Sequence, residues 1–212
     1  MNRIGSGLGA IAFAALTIAA FAVLNGPGGN YSVSDVTDYV SSGHQLAVFV
    51  SLYLGLLSSL GLIVLFAGLR EAIGDDRLRR VFWGSGLAAA SAWAIGWCVV
   101  VAPPLALNFG SAARPIDPKL TYVLVETGLV IMFGAACVLF GAALLTLVAG
   151  SRGAFPTWLR WATAIGGVAG LTSIAFFPSF LVPVWALVIG GWLLVSTNAR
   201  RVAPAVRTQP TL

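Results

Sequence analysis

Apolar residues along the chain fall into six runs, at about 5–25, 44–69, 81–103, 120–149, 159–177 and 180–198. A helix needs roughly 20 apolar residues to cross the hydrocarbon core of a bilayer. The first four runs meet that length and the last two are short for it. The runs lack the two-residue alternation of a membrane barrel, and an isolated strand in lipid leaves its backbone groups unpaired. Helix is therefore the expected form throughout. The pattern predicts an all-α polytopic membrane protein of six transmembrane helices, with residues 1–200 as one domain and 201–212 as a disordered cytoplasmic tail.

Between the first two runs, "YSVSDVTDYVSSGH" (Tyr31 to His44) changes period. Ser32 and Asp35 make a start resembling a capping box, and Val33, Val36, Tyr39 and Val40 recur at helical spacing. A short amphipathic helix lying on the outer face is expected, with Asp35 and Asp38 toward water. It is either a lid over a central cavity or a cover for the bundle. The connection "PPLALNFGSAARPIDPK" (Pro103 to Lys119) has four prolines and no helical period, and reads as a loop. Pro183 falls in the first turn of the last run, where proline is tolerated. The apolar stretch Leu8 to Leu24 is longer than the 7–15 residues of a signal-peptide core, so an uncleaved first helix is expected.

Charge sets the orientation. Ten of the twelve basic residues (Arg3, Arg70, Arg77, Arg79, Arg80, Arg152, Arg160, Arg200, Arg201 and Arg207) fall in the turns on one side, leaving Arg114 and Lys119 on the other. Positive residues collect in cytoplasmic loops, so both termini are expected in the cytoplasm of a cell whose inner membrane holds the protein. Only 9% of residues are charged and 58% are hydrophobic, too little polar surface for a domain bathed in water. The net charge of +5 is scattered over short loops, which excludes a nucleic-acid surface. In "REAIGDDRLRR" (Arg70 to Arg80), Asp75 and Asp76 can pair with Arg79 and Arg80. Topology accounts for these arginines, with recognition of anionic lipid or of a partner as a further reading.

The helices are expected to pack through small residues. Gly5 and Gly9, Gly55 and Ser59, Gly86 and Ala90, and Gly166 and Gly170 each stand four apart. In lipid, such faces drive association by letting backbones approach closely. No internal repeat marks a transporter of the inverted-repeat kind.

Candidate chemistry is sparse. Glu126, inside "LTYVLVETGLVIMFG", is the acidic residue placed within a span, and burial disfavours its charged form. Ser51, Thr172 and Ser173 are expected at a similar depth, with Cys98 at that level, and any catalysis would have to be built from Glu126, His44, Tyr122 and Asp117 near the outer face. His44, the sole histidine, opens the second helix near the outer surface. A carboxyl and an imidazole there can relay a proton or simply serve as hydrogen-bonding groups. No metal-ligand spacing, phosphate loop or nucleophile elbow occurs, and no metal or cofactor is expected. Cys98 and Cys137 read as buried, inert thiols. Trp93 and Trp97 read as lipid-facing bulk, or alternatively as the lining of a cavity.

"GAFPTWLRWATAIGGVAGL" (Gly153 to Leu171) resembles a group of bacterial six-helix integral membrane proteins classed as a domain of unknown function. Their pattern is a second helix ending in Leu-Arg, here Leu69 and Arg70, and a Phe-Pro-x-Trp-Leu turn before helix five. The resemblance implies the architecture and no activity. Three functions then stand open. The first is a non-enzymatic protein binding a lipid or apolar ligand, or serving as an accessory subunit, through an outward-facing pocket near Glu126. Its partners would be membrane lipids, another membrane protein or a second copy of itself. The others are a proton-coupled small-solute transporter, whose activity Glu126→Gln would abolish, and a lipid-modifying enzyme at the outer face.

Overall fold

A computed structural model describes residues 3–24, 26–27, 29–109, 117–151, 153–173 and 177–202. No strand occurs among them. The helices are α1 (Arg3–Leu24), α2 (Val33–Tyr39), α3 (Gln45–Leu69), α4 (Asp76–Phe109), α5 (Pro118–Val130), α6 (Cys137–Gly150), α7 (Thr157–Leu171) and α8 (Leu181–Val202). A π-helical segment, Ile131–Ala136, joins α5 to α6 without a break. Four stretches are long and apolar enough to cross a membrane: Arg3–Leu24, Gln45–Ala72, Asp76–Leu107 and Pro118–Gly150. Leu181–Thr197 is a shorter apolar helix. The perimeter is correspondingly apolar, with Leu8, Ile18, Tyr53, Leu60, Val123, Ile165 and Val195 each more than half exposed. The chain is an all-helical membrane protein.

The helices pack as a closed ring, α1 against α3, α3 against α4, α4 against α5 and α6, α6 against α7, α7 against α8, and α8 back against α1. Glycines set the closest crossings. A Cβ on Gly61 would stand 2.8 Å from the Gly9 carbonyl oxygen, and one on Gly9 would stand 2.8 Å from that of Gly61. Gly96 and Gly128 meet in the same reciprocal way, at 2.9 and 2.8 Å. In hydrocarbon there is little hydrophobic force between helices, so this backbone contact supplies the cohesion. The turn at residues 70–75 meets the end of α6 through Gly74 N–H to the Gly150 carbonyl. Arg3 stacks over Trp192 and donates to Ser196, and Phe155 touches Trp192. The turns carrying Arg3, Arg70, Arg77, Arg79, Arg80 and Arg160 thus lie at one end of the ring and α2 lies at the other.

Two expectations are corrected here. Residues 103–109 are helix, since α4 continues through Pro103 and Pro104. Proline at 104 lacks the N–H that would bond the Val100 carbonyl four residues back. The Tyr39 hydroxyl supplies the missing donor, 2.9 Å from that oxygen. Membrane helices tolerate proline when a neighbour satisfies the freed carbonyl in this way. The remainder of the connection, 110–116, and the tail beyond Val202 lie outside the described residues. The second correction concerns Cys98, which is exposed on the outer surface of α4, whereas Cys137 is buried as expected.

The amphipathic helix forms as α2. Ser32 caps it by accepting from the Asp35 N–H, and Asp35 and Asp38 are exposed. Tyr39 is fully buried, and burial pushes its phenol above its ordinary range. The unfolded chain therefore gives up that proton first. Its contribution to stability is intact below about pH 10 and falls as the pH rises beyond it. Thermal melts on either side of about pH 10 should show this loss in the wild type. In Tyr39→Phe the alkaline loss should be smaller, against a neutral-pH cost of about 1–3 kcal/mol for orphaning the Val100 carbonyl.

Candidate functional site

The inner part of the ring is filled by aromatic rings, most of them packed edge to face. Phe13 meets Trp93 at 5.6 Å and Phe140 at 6.3 Å, and Phe140 meets Phe66 at 5.5 Å and Trp185 at 5.4 Å. Such pairs are favourable beyond the area they bury. Hydroxyls hold the two indoles. Trp93 Nε1 donates to Ser58 Oγ at 3.1 Å, and Trp185 Nε1 donates to Thr163 Oγ1 at 3.1 Å. The void remaining among Phe13, Leu62, Trp93 and Phe140 is about 10 Å³, at the lower limit for one water.

Above this plug the ring opens into a cavity of about 560 Å³. Its opening has a cause in helix length. α7 has 15 residues, about 22 Å of rise against a core near 30 Å. Pro178 disfavours helix in the residue before it, and α8 restarts at Leu181. α7 is thus the short arm of the α7–α8 hairpin, and the cavity opens between α1 and α5. On α1, Thr17, Phe21 and Leu24 line the space at helical spacing, and on α5 Val125 and Leu129 do the same, followed by Phe133 from the π segment. Trp93 contributes from α4, while Ser179, Phe180 and Pro183 close the α8 side. Gly26 and Pro27 lie at the roof. Among the described residues no lining residue is charged, and the rings of Phe21, Trp93, Phe133 and Phe180 give the walls an aromatic character.

Phe133 of this wall lies in the π segment, which also keeps the neighbouring stripe of the helix facing inward. Gly128, Met132, Ala136 and Phe140 are buried at successive steps of four residues. A regular α-helix would rotate such a series off one face, and the wider π turn holds it there. Thr17 is the polar oddity. Its hydroxyl is buried without a hydrogen-bond partner, whereas Thr127, Thr146, Thr163 and Thr197 each donate to the carbonyl four residues back.

Of the expected site residues, the structure brings together Tyr122 and Glu126. They stand one turn apart on α5 and their side chains interact. The Tyr122 hydroxyl donates to the Gly29 carbonyl, and Tyr31 packs edge-on against its ring at 5.4 Å. Glu126 is half-buried on the flank of the cavity and does not line it. Ser51 is buried, donating to the Val48 carbonyl. Thr172 is exposed and donates to Val168, and Ser173 is buried without a partner. His44 is half-buried in the 3-10 turn ahead of α3. Among the described residues no hydrogen bond joins Glu126 to His44, Ser51, Thr172 or Ser173, and no cluster of metal-ligating side chains occurs. Trp93 and Trp97 are buried, at 3% and 0% exposure, so the lipid-facing expectation is corrected. Trp97 packs against Gly55. The sequence reading missed Thr17, Phe21, Phe133 and Phe180. A signal for the first two lay in Phe13, Thr17 and Phe21, spaced four apart on one stripe of α1.

Tyr122 ties α5 to the connection that carries the roof residues Gly26 and Pro27. Tyr122→Phe should therefore loosen that connection, raising the amide hydrogen-exchange rates of Gly26 and Gly29 several-fold with little change in thermal stability. No family model, curated protein or solved structure matches the chain.

Proposed function

We propose that the protein is a non-enzymatic six-span membrane protein that holds a lipid or other apolar ligand in this cavity. On this reading the arginine-bearing turns and both termini lie in the cytoplasm of a bacterium whose inner membrane holds the protein, and α2 lies outside, in keeping with the charge bias. The resemblance of the Phe-Pro-x-Trp-Leu turn to a six-helix group supports the six-span part of this reading. The observation that carries the reading is an uncharged, aromatic-walled cavity that ends on a plug of packed rings. Its volume lies within the range of small-molecule sites, which are mostly apolar with a few polar groups fixing orientation.

The plug disfavours transport, because a solute or proton would need a polar path and the void beneath Trp93 has room for at most one water. Glu126 and Tyr122 act on this reading as the fastening of the roof. An intramembrane carboxyl is costly and is retained where neighbours satisfy it. Native mass spectrometry of protein extracted in mild detergent tests the proposal. It should show a substantial fraction carrying an apolar molecule that survives removal of the detergent. A spectrum containing only the bare chain after extraction from several hosts would refute it.

A further inference from the structure

At the opposite end of the ring from the cavity, a cleft of about 470 Å³ opens where α3 ends and α4 begins, lined by Arg70, Glu71, Arg79, Arg80 and Trp83. We infer that this cleft binds a phosphate group, presented by an anionic phospholipid headgroup or carried by a small molecule in solution. The three arginines have different tasks. Arg79 is spent on the scaffold. Its Nε and Nη2 donate to the Ile73 carbonyl at 3.1 and 2.9 Å, and its Nη1 pairs with Asp76 at 3.0 Å. It thereby fixes the turn between the helices. Arg70 lies over the Trp83 ring, 5.3 Å from its centroid. That stacking orients the guanidinium through its face and leaves its edge N–H groups for an acceptor. Arg80 has no hydrogen bond or ion pair among the described residues.

Two guanidiniums, one held flat and one free, thus face a cleft of headgroup size. Guanidinium groups bind phosphate oxygens through paired, charge-assisted hydrogen bonds. An indole beside them sits well at the level of lipid headgroups, and basic pockets between transmembrane helices take anionic headgroups. Positive charge at this end would follow from membrane insertion alone. The cleft and the Arg70–Trp83 stack would not, and they separate these arginines from Arg77, which carries the same charge nearby and does not line it.

The test is the thermal unfolding of the full chain in nanodiscs of phosphatidylcholine, alone or doped with phosphatidylglycerol, and separately in phosphatidylcholine with millimolar inorganic phosphate. Phosphatidylglycerol should raise the midpoint by roughly 5 °C in the wild type. Arg80→Gln and Arg70→Gln should each lose at least half of that rise, while Arg77→Gln keeps it. Arg80→Gln breaks no hydrogen bond or ion pair among the described residues, so its result does not depend on Arg70→Gln folding well. A rise with inorganic phosphate that depends on Arg80 in the same way would assign the site to a soluble phosphate. Equal losses in Arg77→Gln and Arg80→Gln, or no rise with either additive, would overturn the inference.

Discussion

Leu129→Trp should empty the cavity while leaving the fold intact. Leu129 is half-buried on α5, with Val125 one turn before it and Phe133 one turn after, on the wall facing Phe21 and Leu24. An indole at that position projects into open space and meets apolar walls, so it needs no displacement of backbone. Filling a void with apolar atoms stabilises or leaves stability unchanged. A ligand that occupies the same volume is excluded. Retained ligand should fall at least tenfold, equivalent to about 1.4 kcal/mol, with a melting temperature equal to or above that of the wild type. Mass spectrometry and a thermal melt on the same preparation read both quantities. Wild-type occupancy with tryptophan in place would show that the bound molecule lies elsewhere.

Gly61→Leu should have the opposite profile, losing the fold and with it the cavity. The Gly61 and Gly9 backbones touch where α1 crosses α3, and a Cβ on Gly61 would stand 2.8 Å from both the Gly9 carbonyl oxygen and the Phe13 nitrogen. Both obstacles are backbone atoms, which cannot swing aside as a side chain can. Forcing extra atoms into a packed core costs about 1–3 kcal/mol, and a leucine at a backbone contact should reach about 3 kcal/mol or more. The displaced helix carries Phe13, a fully buried member of the aromatic plug. Gly84→Ala and Gly191→Ala provide the contrast. A Cβ there meets nothing within 4 Å, and alanine is up to about 1 kcal/mol better than glycine inside a helix. Both should melt at or above the wild-type temperature. A Gly61→Leu protein that melts with the wild type would contradict the packing described for α1 and α3.

The hydrophobic runs located the helices within a few residues because burial in lipid demands apolar atoms on every face of a span. That same uniformity hides which face turns inward. Trp93 and Trp97 sit in a run whose only polar positions are Ser85 and Ser91, too few for a periodicity that separates the interior stripe from the perimeter, where Cys98 lies. The prolines at 103 and 104 read as a loop because Tyr39, which donates to the carbonyl that Pro104 frees at Val100, lies 61 residues before Val100 in the chain. Glu126 stood out because a charge in an apolar run is costly. The cavity beside it is built from Phe21, Leu129 and Phe133, whose residue types are those of any membrane helix. What makes them a site is the shortness of α7 and the π turn, two features of backbone geometry that leave little trace in composition.

A density map of the protein in a lipid bilayer would decide whether the cavity is a binding site. The account predicts non-protein density among Thr17, Leu24, Val125, Leu129 and Phe180, resting against the stacked Phe21 and Phe133 rings and ending at the aromatic plug. A map in which α1 closes against α5 and the space disappears would contradict it. So would a file of ordered water running on past Trp93 to the arginine-bearing end.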